Sequence, residues 1–248
     1  MGRTHATSGA AVWLAGCAAV TAFGVHLHGV TVVVGAGVCA GMALLPDLDH
    51  PQSLASRTFG PVSQALAKLT AAGSRAVYRS TRARGDEPDC GTGHRTLLHT
   101  APFAVLVGAL VSLACGLGGR WGGGATMFAA TGLALRGLLS ARERRRSGAW
   151  IAVASLAAAV GCAWLPGASW WWIGVPAGAG CLVHCLGDAM TLSGCPILWP
   201  LPVAGRRWYP IGLPRIMRLR TGGTVEKALA VPLLVLAALL SGWYSLGG

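Results

Sequence analysis

Seven long apolar runs restrict the fold of this sequence more than any other feature. A helix rises about 1.5 Å per residue, so roughly 17–25 residues are needed to cross a hydrocarbon core about 30 Å thick. Charged residues make up only 11% of the chain and hydrophobic residues 53%, whereas about a quarter of the residues in a soluble domain are charged. We therefore predict an all-α, polytopic helical membrane bundle with about seven transmembrane helices. The predicted spans are residues 8–25, 29–46, 97–118, 122–140, 148–165, 169–188 and 227–247.

Small residues are frequent in these spans, and they favour one bundle over separate anchors. Glycine alone accounts for 37 of the 248 residues, and small side chains let neighbouring transmembrane backbones approach closely. The eight cysteines form no C-x-x-C pair, and most of them fall inside apolar spans, where we expect small buried side chains rather than metal ligands. We predict a single domain over residues 1–248.

Arginine placement predicts how the bundle lies in the membrane, because cytoplasmic loops collect Lys and Arg. Successive arginine-rich loops are separated by two spans. All of them can therefore lie on the same side of the membrane, as a consistent topology requires. Arg3 precedes span one, so we predict a cytoplasmic N-terminus and an external C-terminus. The basic loops also explain most of the net charge of +12, so we expect membrane lipids rather than nucleic acid as partners. The loop arginines are Arg75, Arg79, Arg82, Arg84, Arg142, Arg144, Arg145, Arg146, Arg206, Arg207, Arg215, Arg218 and Arg220.

Two polar stretches lie between spans two and three. Residues 54–72 are amphipathic, and we expect them to lie on the membrane surface. Their apolar positions are Leu54, Phe59, Val62, Leu66 and Leu69. We predict a mobile cytoplasmic loop over residues 74–93, because the stretch STRARGDEPDCGTG (80–93) is polar and rich in glycine. Its acidic residues Asp86, Glu87 and Asp89 are expected to be solvated.

The predicted topology places the candidate metal ligands on one side of the membrane. Each lies near the cytoplasmic end of a span, and ionisable residues at such positions are costly unless they are solvated, paired or functional. His26 and His28 lie in the turn on the opposite side, and we interpret them as interfacial side chains. The candidate ligands are His5, Asp47, Asp49, His50, His94, His99, His184 and Asp188.

Local spacing supports a metal site at this end. His184 and Asp188 are four residues apart, so a helix presents both on one face. Pro46 is expected to end span two, and the alternation of an extended segment would point Asp47 and Asp49 the same way. Imidazole and carboxylate together suit a divalent transition metal rather than calcium. We expect zinc, with manganese or iron as alternatives.

Three motifs occur in order along the chain: LLPDLDHP (44–51), GHRTLLHT (93–100) and HCLGDAMTLSGCPILWPLP (184–202). His5 near the N-terminus and the arginine-rich GRRWYPIGLPR (205–215) accompany them. This ordered set resembles the YdjM-like inner-membrane family of bacteria, whose members are described as metal-dependent hydrolases. The resemblance implies a multi-pass protein of the bacterial cytoplasmic (inner) membrane. Residues 101–180 match only as generic membrane helices.

The resemblance also implies a chemistry. The family is distantly similar to the helical fold of zinc-dependent phospholipase C and single-strand nucleases, whose metal cluster cleaves phosphoesters. We therefore expect hydrolysis of a phosphoester, with phospholipid as a candidate substrate, through a metal-activated water. Asp49, His94 and Arg95 are the candidate catalytic residues. Arg95, Arg206 and Arg207 are candidates for holding the phosphate, because a guanidinium matches its oxygens in a bidentate fork.

Three alternatives stay open at this point. Lipid phosphatases of the acid-phosphatase type also contain H-x-x-x-D, but their other motifs are absent, and PAGAGCLVHCLGD lacks the Ser-Arg expected before the last histidine. A non-catalytic membrane protein could use a structural metal and dock a cytoplasmic protein partner, in which case its ligand shell would be closed. Transport would favour polar residues at mid-span, whereas here they gather at one end. No G-x-S-x-G or H-E-x-x-H motif occurs.

Overall fold

The computed structural model is helical and describes residues 2–91, 93–164, 169–220 and 223–247. It confirms the predicted all-α fold. Short 3-10 turns flank several helices, among them Leu45–Asp49 and Leu97–His99. The predicted end of the fifth span at residue 165 lies outside the described residues. The α-helices are α1 (Gly2–Ala22), α2 (Gly29–Met42), α3 (Pro61–Thr81), α4 (Ala101–Leu138), α5 (Ala141–Arg146), α6 (Gly148–Trp164), α7 (Gly174–Ala189) and α8 (Val231–Ser245).

Helix α4 folds back on itself at Gly119. The backbone of Gly119 has φ 51° and ψ −129°, a conformation that side-chain-bearing residues rarely adopt. Cys115 Sγ lies 3.5 Å from Thr126 Oγ1, although eleven residues of a continuous helix would rise about 16 Å. The two halves of α4 are therefore antiparallel neighbours, and they correspond to the third and fourth predicted spans.

The helices pack with their backbones close together. A Cβ atom on Gly41 of α2 would overlap the backbone of Ala130 in α4, and one on Gly180 of α7 would overlap the backbone of Cys39 in α2. The small residues noted in the sequence are thus found where helices cross. Buried side chains of α2, α4, α7 and the 3-10 turn before α7 form most of the main core, which includes Val38, Met42, Met127, Ile173 and Ala177.

Three helical stretches in the described part of the chain are long and apolar enough to cross a membrane. They are Gly29–Asp49, Ala101–Leu138 and Glu226–Ser245, and Gly148–Trp164 is apolar but shorter. Large apolar side chains on these helices face outward, among them Leu117, Trp164 and Leu239, as expected for contact with lipid. Seven separate crossings stay a prediction.

Several local predictions were wrong. Helix α1 begins at Gly2, six residues before the predicted span 8–25, so His5 lies inside the helix. The segment Leu45–Asp49 is a 3-10 helix with Pro46 in its first turn, where the missing N–H of proline costs little. It is not the extended segment that we expected, so the alternation argument for Asp47 and Asp49 does not apply.

The predicted mobile loop is partly helical, since residues 74–81 belong to α3. Asp86 is buried, and its carboxylate accepts hydrogen bonds from the backbone N–H groups of Ala83, Arg207 and Trp208. The expectation that Asp86 is solvated was therefore wrong, because distant backbone donors use it as their acceptor. Glu87 and Asp89 are exposed, as expected.

Helix α3 confirms the amphipathic pattern of this region. Ser63, Ala67 and Ala71 are buried on one face, whereas Val62 and Leu69 are 66% and 68% exposed on another. An exposed apolar face next to charged side chains suits an interfacial helix. Its place on the membrane surface stays a prediction.

Candidate metal centre

Four separate parts of the chain bring histidine and aspartate side chains together at one end of the bundle. His5 comes from the first turns of α1, Asp47 and Asp49 from the 3-10 helix after α2, His94 and His99 from the segment before α4, and His184 and Asp188 from the end of α7. Four of these side chains are fully buried, with 0% or 1% exposure: Asp49, His99, His184 and Asp188. Burying so many ionisable groups requires mutual hydrogen bonds or a bound cation.

The closest histidine pair is formed by His99 and His184, whose Nε2 atoms lie 3.2 Å apart. His184 Nδ1 donates to the carbonyl oxygen of Ala43 at 2.8 Å, so in the neutral ring Nε2 carries a lone pair that faces His99. Two nitrogen atoms at this distance need a proton or a cation between them. Two nitrogen ligands about 2.0–2.1 Å from a tetrahedral metal ion would lie about 3.3–3.4 Å apart.

Two other buried atoms indicate that a cation, rather than a proton, lies between these two nitrogens. His99 Nδ1 and Asp49 Oδ2 lie 3.7 Å apart, and nothing in the described residues hydrogen-bonds to either atom. A proton on His99 Nε2 would leave a bare Nδ1 facing a carboxylate, which is unfavourable. A metal ion at Nε2 would move the proton to Nδ1, from which it could bond to Asp49. The donor set therefore fits a bound metal ion, with Asp49 behind the ligand as the partner of its outer nitrogen.

Two carboxylates complete the inner cluster. Asp47 Oδ1 lies 3.9 Å from His99 Nε2 and 3.7 Å from His184 Nε2. Asp188 Oδ2 lies 3.6 Å from His99 Nε2 and 3.8 Å from His184 Nε2. All four side chains thus direct a donor atom toward one small region.

The outer histidines extend this cluster on both sides. His5 Nε2 lies 3.6 Å from Asp188 Oδ1, and its ring stacks on His184 with centroids 4.0 Å apart. His94 Nε2 lies 4.0 Å from Asp47 Oδ1. Two groups of three residues can be distinguished, and within each group the donor atoms lie within 4.8 Å of one another. The first group is His5, His184 and Asp188, and the second is Asp47, His94 and His99. The groups adjoin where His99 meets His184, so the arrangement has room for one ion or for a neighbouring pair.

Asp49 and His94 form a hydrogen-bonded pair on the more open side of the cluster. His94 Nδ1 donates to Asp49 Oδ1 at 2.8 Å, and the His94 side chain is 24% exposed, whereas Asp49 is buried. Burial by itself lowers the pKa of His94, but the hydrogen bond to Asp49 and the charges of Asp49 and Asp47 outweigh it, so this pKa lies above its ordinary value. The pair orients the imidazole with Nε2 toward the cluster.

Arg95 holds the carboxylate at the end of α7. Its Nε lies 3.0 Å from Asp188 Oδ2, and its Nη1 donates to Thr191 Oγ1 at 3.2 Å. The backbone of Arg95 has φ 58°, an uncommon conformation for a residue with a side chain and one that concentrates at functional sites. Arg95 thus lies beside the cluster, where we expected it.

Three predicted residues have other partners. His50 lies outside both groups of donors, since its Nδ1 accepts a hydrogen bond from the backbone N–H of Gln52 at 3.2 Å. Arg206 pairs with Asp86 and Glu87, and the Arg207 guanidinium donates to the carbonyl oxygen of Thr81. These arginines hold the loop around Asp86 together instead of lining the cluster.

Sequence reasoning missed two supporting side chains. Thr191 binds Arg95, and Cys195 Sγ donates to the carbonyl oxygen of His99 at 3.0 Å. Both lie within the motif that follows His184, so their place in that motif was the one available indication. Their contacts are with residues almost a hundred positions away, which no local pattern indicates.

Comparison with known proteins agrees with the resemblance noted above. A family model described as YdjM inner membrane protein matches residues 1–247. This range contains every donor of the cluster together with Arg95 and Thr191. No curated protein and no solved structure matches the chain. The chain belongs to the family of YdjM inner membrane proteins.

Proposed function

We propose that this protein is a metal-dependent hydrolase that cleaves phosphoesters at the cytoplasmic surface of the inner membrane. The observation that carries the proposal is the arrangement of His99 and His184. Their outer nitrogens face Asp49 and the Ala43 carbonyl, and their inner nitrogens meet at 3.2 Å beside two carboxylates. Such outer partners fix ring orientation in metal sites.

The donor set suits zinc, with manganese or iron as alternatives. His5, Asp47, His99, His184 and Asp188 would hold the metal, and His94 would act as the base on the open side instead of as a ligand. A bound divalent cation would stabilise charge on a phosphoryl oxygen and lower the pKa of a water molecule toward about 7. Structural zinc sites are closed, whereas catalytic sites keep an open position. The partial exposure of Asp47 (21%) and His94 (24%) supports the catalytic type.

The residues at the open side have distinct roles in this proposal. The Asp49–His94 pair resembles a base oriented by a carboxylate, so His94 Nε2 would accept a proton from the attacking water. Arg95 would contact the phosphate, because two of its donor atoms already bind Asp188 and Thr191 and thereby fix the guanidinium plane beside the cluster. The basic loops would place this end of the bundle at the cytoplasmic surface, among anionic headgroups.

The test is metal analysis and hydrolysis with the same purified protein. The protein would be reconstituted in vesicles, its metals measured by mass spectrometry, and hydrolysis assayed on a panel of soluble and lipid phosphoesters with chelator and with zinc or manganese restored. We expect chelator-sensitive hydrolysis that returns with the metal. Tight metal binding without hydrolysis on any substrate would contradict the proposal and favour a structural metal in a protein that docks a cytoplasmic partner.

A further inference from the structure

A large apolar crevice adjoins the cluster on the side of His5. It has a volume of about 590 Å³ and lies between α1, α7 and α8, within the size range of pockets that hold small molecules, about 300–1,000 Å³. Its opening lies at the surface, since Val12, Leu186 and Leu233 on its walls are 49%, 51% and 55% exposed. We call this cavity the α8 crevice. Its apolar walls are formed by Val12, Val183, Leu186, Met190, Leu233 and Leu234.

The polar side chains that line the α8 crevice among the described residues are Thr4, His5, Ser8, Thr191 and Glu226, and four of them gather at one end. Thr4, His5, Thr191 and Glu226 line that end, and the Thr4 hydroxyl donates to the Glu226 carboxylate. The apolar walls run along α8 toward Ala237. An occupant that matches both parts must therefore be amphipathic, with a polar group at one end and a hydrocarbon body.

The polar end of the crevice shares its wall with the candidate metal centre. His5 lines the crevice and at the same time reaches Asp188 and stacks on His184. Gly187 keeps this wall thin, because a Cβ there would come within 3.3 Å of the His5 ring. Thr191 lines the crevice and binds Arg95. A molecule seated in the crevice would thus carry its polar end to the donors and to Arg95.

We infer that the α8 crevice holds one hydrocarbon chain of a membrane lipid whose phosphoester reaches the metal centre. The inference rests on the proposed function and names its substrate class, a lipid phosphoester rather than a water-soluble one. Lipid is the occupant that the setting supplies, because α8 belongs to an apolar stretch long enough to cross the membrane. An apolar opening at that depth is filled by hydrocarbon rather than water. A polypeptide segment would find few partners there for its backbone polar groups.

The experiment labels the crevice directly. Phosphatidylglycerol with a photoreactive group at the end of one acyl chain would be mixed into vesicles of phosphatidylglycerol and phosphatidylethanolamine that contain the full-length protein. Labelled peptides would be mapped by mass spectrometry. We expect the label on the crevice walls of α7 and α8, and its loss in Ala237→Trp, which fills the crevice far from the donors. Leu240→Trp, on the exposed surface of the same helix, is the matched control and should keep the label.

Hydrolysis of the lipid tests independently whether the α8 crevice holds its chain. Ala237→Trp should lower cleavage of the long-chain lipid by about tenfold for every two methylene groups that it excludes, with metal content unchanged. If Ala237→Trp does not fold, six-carbon and sixteen-carbon phosphatidylglycerols competing against the label on the wild-type protein provide the same test, and only the longer chain should displace it.

The possible failures are distinguishable. Crevice labelling that persists in Asp188→Ala, without hydrolysis by the wild type, would support the lipid site and contradict the proposed function. Hydrolysis of soluble phosphoesters that is unchanged in Ala237→Trp, with label spread evenly over outward residues such as Leu117 and Trp164, would overturn the lipid site and leave the proposed function standing.

Discussion

Arg95 and Asp188 form an ion pair, with Nε and Oδ2 3.0 Å apart, that ties the segment before α4 to the last turn of α7. The same carboxylate faces His5, His99 and His184. Asp188 is therefore at once the partner of the arginine and a donor that both halves of the cluster share. Its removal should disturb the site more than the fold, because packing rather than this ion pair holds the helices together.

We predict that Asp188→Ala abolishes metal binding while the protein stays inserted and monodisperse. Loss of a ligand should weaken metal affinity by more than the roughly 10–100-fold typical of an outer partner. Metal content by mass spectrometry, together with size-exclusion chromatography, checks this. Glu87→Ala is the control, since that carboxylate is exposed and lies in the polar loop. Full metal occupancy in Asp188→Ala would exclude Asp188 as a ligand.

Asp49→Asn should have an intermediate effect. We predicted Asp49 as a ligand, but its oxygens face His94 Nδ1 and His99 Nδ1, the outer ring nitrogens. An outer partner orients the ligands, so we expect metal affinity to fall roughly 10–100-fold. A competition titration with a chelator of known affinity measures it. A loss as complete as in Asp188→Ala would instead make Asp49 a direct ligand.

Asp86→Ala should destabilise the loop that contains Arg206. Three backbone N–H groups, those of Ala83, Arg207 and Trp208, would lose their acceptor, at a cost of about 1–3 kcal/mol for each that stays buried and unpaired. Limited proteolysis should detect earlier cleavage near residues 83–91 and 203–208, with metal content unchanged. Asp89→Ala removes an exposed carboxylate from the same loop and should leave the cleavage pattern as it is.

The topology makes a separate prediction. Reporter tags at the N-terminus and within residues 142–147 should report a cytoplasmic location, and a tag after Gly248 an external one, because the arginines gather on one side. The measurement is the side of the membrane from which each tag is accessible. A cytoplasmic C-terminus would require an even number of crossings, and the lipid-surface placement of the metal centre would then have to be revised.

The convergence of the donors was predictable because two simple sequence patterns indicate it. Helical spacing places His184 and Asp188 on one face, and the alternation of apolar runs with basic loops sends the ends of α2 and α7 to the same side. Neither pattern depends on contacts between distant residues. The family resemblance, now confirmed over residues 1–247, rests on the same motifs.

Other features depend on contacts that no local pattern contains. Asp86 looks like a loop residue until the backbone of Arg207 and Trp208, about 120 positions later, brings its donors to it. Asp49 lies in a 3-10 helix rather than in the expected extended segment, and its oxygens face the outer ring nitrogens of His94 and His99. His50 fits the motif in sequence, but its ring nitrogen bonds to the next turn of the backbone.

The spread of the donors along the chain has a consequence for biosynthesis. Among the donors, His5 leaves the ribosome first and Asp188 last, and every donor lies near the end of a helix that must already be in place for the cluster to close. The donors thus come together only once α7 has been made and has packed against α2 and α4. We therefore predict that metal capture by the cluster is a late event in maturation, and that a nascent chain arrested before α7 would carry scattered histidines in place of a cation site.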